Sequence, residues 1–242
     1  MATCSPMTGL LSAEHLGALV ATGVGAALLI FAARKRNDRE ITYICRALAV
    51  VLVIDEVSWW VFVAAGGVPG AQFAQALPLQ LCDITTLIAA FALWFRSPLL
   101  VELTYFWGLA GSFQGLLTPD LPQHFPTYPY VQYYIAHGGI VAAALLLVIG
   151  LRLHPRPFAV AWVGLLALVY AGLLGLVDAA TGANYMYLGS KPPAPTLLDL
   201  MGPWPWYLLG AAALGVLFLA ILDAPFYIGR RRSQVGTPEP AR

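Results

Sequence analysis

The residues able to do chemistry crowd into Ala76-Leu-Pro-Leu-Gln-Leu-Cys-Asp-Ile-Thr-Thr86, where Gln80, Cys82, Asp83, Thr85 and Thr86 open a long apolar run. Buried polar and ionisable groups carry a desolvation cost on the order of several kcal/mol unless something compensates, so such a cluster calls for an explanation. A thiol in apolar surroundings is mostly protonated and inert, whereas an adjacent imidazole can take its proton and leave a strong nucleophile. Of four histidines only His137 falls inside an apolar run; His15 lies near the end of one, and His124 and His154 lie between runs. Cys82 and His137 are therefore the candidate nucleophile and general base of an acyl transfer through a thioester. The imidazole needs an orienting acceptor, and Asp83, Asp55, Glu56 and Asp178 all qualify. Gln80 and Gln114 add polar groups to the same region, and Asn184 with Tyr185 follows Asp178, where an amide can donate to an oxyanion or a phosphate.

Each residue also has a plainer role. A cysteine in a helix usually packs as a small hydrophobe, a buried histidine can simply bond a neighbouring helix, and Tyr130, Tyr133 and Tyr134 at helical spacing suit packing and interface anchoring.

The elements that must position these groups follow from composition. The chain is 60% hydrophobic and only 10% charged, with a mean hydropathy of +0.75, far from the roughly one-quarter charged residues of soluble domains. The sequence predicts an all-α, polytopic membrane protein. Seven apolar segments, near 12–33, 41–65, 76–95, 99–117, 128–150, 158–180 and 203–226, are long enough to cross a hydrocarbon core of about 30 Å. Arg34, Lys35, Arg36 and Arg39, then Arg96, then Arg152 and Arg156, then Arg230, Arg231, Arg232 and Arg242 follow the odd-numbered segments, while the alternate connections hold only Lys191. The positive-inside rule then places the N-terminus outside and the C-terminus in the cytoplasm. The expected organisation is one seven-helix transmembrane domain over 1–228 with a basic, disordered tail over 229–242. With no Lys or Arg before its first apolar run, the N-terminus reads as a retained span and not a cleaved signal.

The expected outer connections are rich in proline and aromatics, in Thr118-Pro-Asp-Leu-Pro-Gln-His-Phe-Pro-Thr-Tyr-Pro129, Lys191-Pro-Pro-Ala-Pro195 and Met201-Gly-Pro-Trp-Pro-Trp-Tyr207. Such stretches stiffen a lid at headgroup level. Gly108, Gly111, Ser112 and Gly115 form one small-residue stripe, as do Ala171, Gly172 and Gly175, which points to close helix contact. With about 1.5 Å rise per residue, Cys82 lies about 9 Å and His137 about 14 Å below the outer ends of their spans. Asp55, Glu56, Gln114 and Asp178 reach the same half of the bundle. In the other half Arg46 and Glu102 sit where they can pair or snorkel.

Several chemistries are excluded on inventory. Cys4, Cys45 and Cys82 form no Cys-x-x-Cys pair and no disulfide framework. One buried histidine is too few for a zinc hydrolase, the last span has no lysine for a retinal Schiff base, and no glycine-rich nucleotide loop is present. Dispersed positive charge gives no nucleic-acid face. No metal or soluble cofactor is implied.

Leu77-Pro-Leu-Gln-Leu-Cys-Asp-Ile84, Glu102-Leu-Thr-Tyr-Phe-Trp-Gly-Leu-Ala-Gly-Ser-Phe-Gln-Gly115, Leu117-Thr-Pro-Asp120, His137-Gly-Gly139, Gly182-Ala-Asn-Tyr-Met-Tyr187 and Gly202-Pro-Trp-Pro-Trp-Tyr207 together resemble the bacterial YwaF-like integral membrane proteins, which are grouped with the eukaryotic transmembrane protein 164 family. The resemblance implies an acyltransferase or acyl hydrolase of the cell membrane that acts on phospholipids or lysophospholipids through a cysteine acyl-enzyme, with Cys82 and His137 in the two roles. Many bacterial members carry a histidine where this chain has Gln80, which makes the thiol more dependent on His137. A more distant likeness to androgen-induced-protein-like lipid hydrolases points to Thr85 or Thr86 instead. Two other classes stand beside the enzyme: a proton-coupled transporter built on the buried carboxylates and His137, and a protein that holds a lipid without chemistry.

Overall fold

The structure, a computed structural model, describes residues 12–68, 77–119, 121–192 and 196–235, the last three by backbone only. Cys4, Ala76, Asp120, residues 193–195 and the final residues 236–242 lie outside them. Among the described residues every regular element is helical, arranged as seven continuous rods with 3-10 turns at Tyr185–Tyr187 and Leu197–Met201 before the last.

The first two rods are closed by their own sequence. α1 (Ala13–Lys35) starts at Ser12, whose hydroxyl accepts the His15 N–H, and carries Glu14 in its first turn and Arg34 and Lys35 in its last. α2 (Asp38–Ala64) starts at Asn37, whose side chain accepts the Glu40 N–H. Both place charge where the helix dipole favours it.

α3 (Leu81–Phe95) is shorter than the sequence predicts. Residues 77–80 are not helical, because Pro78 cannot continue a helical ladder and disfavours the helical conformation of Leu77 before it. α3 ends at Arg96, in the left-handed conformation at φ 52°, and Ser97-Pro98 starts the next rod at once. That rod, α4, runs over 98–117 as an α-helix (Pro98–Trp107), a π-turn (Gly108–Ser112) and a closing α-turn (Phe113–Leu117). α5 (Tyr128–Gly150) has its own π-turn at Leu146–Gly150. α6 (Ala159–Thr181) stops at Gly182, which supplies the φ of 71° that an L-residue resists. α7 (Trp206–Val235) holds Pro225 and runs on past residue 228, where the sequence places the start of the tail.

α5 is the axis of the bundle. In its most apolar stretch 67% of residues are buried, against 6% in α1 and 11% in each of α6 and α7. α1, α2, α3 and α4 all pack on it, α6 packs on α4, and α7 on α6. The peripheral rods turn Val20, Leu28 and Phe31 of α1 and Leu168, Leu173 and Leu176 of α6 outward. That inversion, with apolar side chains outside and carboxylates within, suits hydrocarbon as the solvent. α1, α2, α5, α6 and α7 are long and apolar enough to cross a membrane, and the chain is a helical, multi-pass membrane protein.

The small-residue stripe is used as expected. A Cβ on Gly108 would meet Ile140 Cγ2 of α5 at 2.7 Å, and one on Gly111 would touch Leu81 of α3 at 3.5 Å. The expected pairing of Arg46 with Glu102 does not form. Glu102 takes a two-pronged contact from Arg156, with Nε and Nη2 each donating at 2.8 Å, plus the Arg156 backbone N–H at 2.9 Å. The loop before α6 brings a guanidinium straight onto it, and Arg46 stacks on Trp94 instead.

Candidate functional site

Cys82 occupies the second position of α3, in the turn that opens immediately after the non-helical approach. That approach is held by its own polar groups. The Tyr170 hydroxyl of α6 donates to the Leu79 carbonyl at 2.8 Å, the Tyr185 hydroxyl donates to the Leu77 carbonyl at 3.1 Å, and Gln80 Oε1 accepts the Met186 N–H at 3.1 Å. Irregular backbone inside a membrane protein needs such partners, since hydrocarbon cannot supply them. Burial pushes the Tyr185 phenol above its usual range, so it stays a donor. The loop after α6 thus clamps the segment that aims Cys82.

Cys82 as a residue is half-buried, unlike the fully buried Cys45. Its Sγ–H donates to Asp83 Oδ1 at 3.8 Å, and the other oxygen of that carboxylate accepts the Gln80 N–H at 3.0 Å. Thr85 and Thr86 turn their hydroxyls back to the carbonyls of Leu81 and Cys82, at 2.6 and 2.9 Å, which occupies them within their own helix.

His137 is 8% exposed and its ring stacks on Tyr133 with centroids 4.0 Å apart. Nδ1 lies 2.9 Å from the Tyr133 carbonyl. A carbonyl can only accept, so Nδ1 carries the proton of the neutral ring and Nε2 presents a lone pair. The sequence reading leaves four carboxylates open as the orienting group; the acceptor is this backbone carbonyl, one turn back on the same helix. Nε2 faces Gly115 of α4, where a Cβ would come within 3.1 Å of it and 2.9 Å of Cδ2. The Tyr133 hydroxyl donates to the Gly115 carbonyl at 2.7 Å, fixing ring and glycine together.

Cys82 and His137 share no hydrogen bond. What joins them is α4: Leu81, next to Cys82, packs on Gly111, and His137 packs on Gly115 one turn further along. α3 and α5 also pack directly on each other. Gln114 is half-buried beside Gly115.

The carboxylates of α2 reach this end of the bundle with no cation paired to them among the described residues. Asp55 Oδ2 accepts from Gln132 Nε2 at 3.0 Å, and Glu56 Oε1 accepts from Trp60 Nε1 at 2.7 Å. Asp178 receives the Tyr185 N–H on one oxygen at 2.9 Å, while its other, buried oxygen has no hydrogen-bond partner among the described residues. Asn184 uses its amide inside its own loop: Nδ2 donates to the Ser190 carbonyl and hydroxyl, and Oδ1 accepts the N–H groups of Gly189 and Ser190. It shapes the clamp rather than facing the thiol. Gly138 and Gly139 admit neighbouring helices, since Cβ atoms there would meet Thr22 Oγ1 at 2.7 Å and Leu52 Cδ2 at 2.5 Å. No group of three or more His, Cys, Asp or Glu able to hold a metal occurs among the described residues.

Sequence reasoning passed over Gly115 as packing and did not single out Tyr170. A tyrosine within an apolar span was the available signal, because its hydroxyl must find an acceptor there.

The TMEM164 family model matches residues 10–223. An uncharacterized protein of Treponema pallidum (strain Nichols) is 30% identical over 160 residues; the match covers 65% of this chain and 65% of that protein's length. No solved structure matches.

Proposed function

Since the chain belongs to the TMEM164 family, we propose that it is a membrane-embedded acyltransferase, or acyl hydrolase, that carries the acyl group of a phospholipid as a thioester on Cys82. The observation that supports this best is the tautomer of His137: a neutral imidazole held with its lone pair toward the glycine face of α4, against which the Cys82 turn also packs. His137 Nε2 takes the thiol proton, directly or through one water. The thiolate attacks the ester carbonyl, the tetrahedral adduct collapses, and the proton returns to the departing lysolipid alkoxide. A lysophospholipid hydroxyl, or water, then attacks the thioester by the reverse sequence. Asp83 holds the resting thiol, and the Tyr170 and Tyr185 clamp keeps the head of α3 in place. Seven crossings of the cell membrane, N-terminus outside, place this site in the outer half of the bilayer.

Intact-mass measurement of the purified protein after incubation with mixed phospholipids tests the reading. A fatty-acyl increment removed by hydroxylamine, present in wild type and absent in Cys82→Ser, supports it; an unmodified, folded wild type on a broad lipid panel sinks it.

One observation favours a second reading. Asp55, Glu56 and Asp83 are buried or half-buried with neutral donors only, as expected of groups that exchange protons in a proton-coupled transporter. A pH-driven solute flux retained by Cys82→Ser would select that reading over the enzyme.

A further inference from the structure

At the opposite end of the same helix pair, two arginines lack a carboxylate. The Arg46 guanidinium lies 5.0 Å from the centroid of the Trp94 ring, and Arg96 Nη2 donates to Thr42 Oγ1 at 3.1 Å. Neither takes part in an ion pair among the described residues. Glu102, the partner the sequence offers Arg46, is saturated by Arg156. The tight connection at Arg96 and Ser97 between α3 and α4 marks the level at which the helices turn back, so both arginines lie close to the headgroup layer of that leaflet. Anions are abundant there as lipid phosphates.

An apolar groove of about 270 Å³ starts directly behind Arg46. Val50, Val53 and Ile54 continue the Arg46 face of α2 at helical spacing, Phe91, Trp94 and Phe95 form the α3 wall, and Ala49 and Ala90, each 3% exposed, form the floor. Trp94 belongs to both features: its ring holds the cation and its side chain lines the groove. A positive mouth leading into a narrow apolar trough has the polarity of an amphiphile. From Ala49 to Ile54 the trough is only about 8 Å long, which suits a segment of one hydrocarbon chain and is short for a helix.

We propose that the α2–α3 groove is a binding site for an anionic phospholipid, with its phosphate on Arg46 and Arg96 and one acyl chain against Val53, Ile54 and Phe91. This site lies at the far end of α3 from Cys82 and does not depend on acyl transfer.

The test is native mass spectrometry of the full chain with phosphatidylglycerol and phosphatidylcholine of identical chains, in wild type, Arg46→Gln, Arg46→Gln/Arg96→Gln, Val53→Trp and Arg36→Gln. Wild type is expected to retain phosphatidylglycerol preferentially. Arg46→Gln should lower that preference about fivefold, with a further drop in the double variant. Val53→Trp, which fills the trough and leaves the charges, should weaken retention, and Arg36→Gln, already paired with Glu40, should leave it unchanged. An unchanged preference in a folded double variant overturns the proposal. So does displacement by millimolar inorganic phosphate, which would mark a free-anion site, or a Val53→Trp effect on dimerisation alone, which would assign the groove to a second copy.

Discussion

Glu56 on α2 and Glu102 on α4 are each 1% exposed, and the protein treats them in opposite ways. Glu102 is neutralised: one guanidinium supplies two parallel hydrogen bonds, and the backbone of the same residue supplies a third. Glu56 has an indole N–H and no cation, and its neighbours at that end, Asp55 and Asp83, likewise rely on an amide, a backbone N–H and a thiol. A charge locked by a cation fixes a loop to a helix and does little else. A carboxylate with neutral donors can take up or release a proton without breaking the fold. The basic end of the bundle therefore locks its buried carboxylate with a cation, whereas the end with the proline and aromatic connections holds its carboxylates on neutral donors.

The largest effect that would break this contrast comes from Cys82→Ala. Acyl-adduct formation should fall by about 10³-fold or more, since the nearby Thr85 and Thr86 hydroxyls are bonded back into their own helix, while Glu102→Gln should form the adduct at the wild-type rate once its fold is confirmed by circular dichroism. Equal losses in the two variants would end the distinction between the ends. The next effect is steric. Gly115→Ala puts a methyl group 2.9 Å from His137 Cδ2 and 3.1 Å from Nε2, closer than a Cβ packs, and the shift this forces on the base should lower the acylation rate about 10²-fold in a variant whose fold is confirmed by circular dichroism.

Gly115 also shows where sequence reading stopped. Helix content, the alternation of basic and proline-rich connections, and the membrane class were legible because apolar length and arginine placement are local properties of the chain. The late start of the 76–95 helix was written in Pro78, yet the tyrosine hydroxyls of α6 and its loop, with the Gln80 contact to Met186, explain how a broken helix is tolerated there. Helix rotation was not legible. In segments this apolar no polar face reports which side turns inward, so Gly115 read as packing. For the same reason the acceptor on His137 was sought among four carboxylates when it was the carbonyl four residues back. Likewise Arg46 and Glu102 matched in depth, but Arg156, brought in by a loop, reached the carboxylate first.

The stability comparison is smaller and has opposite signs. Glu102→Gln removes the charge that three donors converge on, and should cost about 1–3 kcal/mol in reversible unfolding. Glu56→Gln keeps the shape and a hydrogen-bond acceptor for Trp60 while removing an ionisable group that has no cation, so its stability should stay within about 0.5 kcal/mol of wild type or rise. Thermal scans of the two variants in the same detergent check this; a larger loss for Glu56→Gln would mean that a cation reaches Glu56.

The smallest effects should come from the clamp. Tyr170→Phe and Tyr185→Phe each delete one hydroxyl donor to the backbone before Cys82, worth about 1 kcal/mol apiece. If the clamp only supports the fold, the two losses appear in stability and leave the thiol alone. If it aims Cys82, either variant should raise the rate of Cys82 alkylation by a lipid-soluble maleimide and lower acylation, because a loosened 77–80 segment exposes the thiol while scattering its direction. The cycle formed by the two single variants and the double variant separates the cases. Both hydroxyls act on the same four residues, so their effects on alkylation should fall short of additivity, the second loss mattering little once the segment is loose. Additive effects would mean that Leu77 and Leu79 are held independently, and that no single clamp aims the thiol.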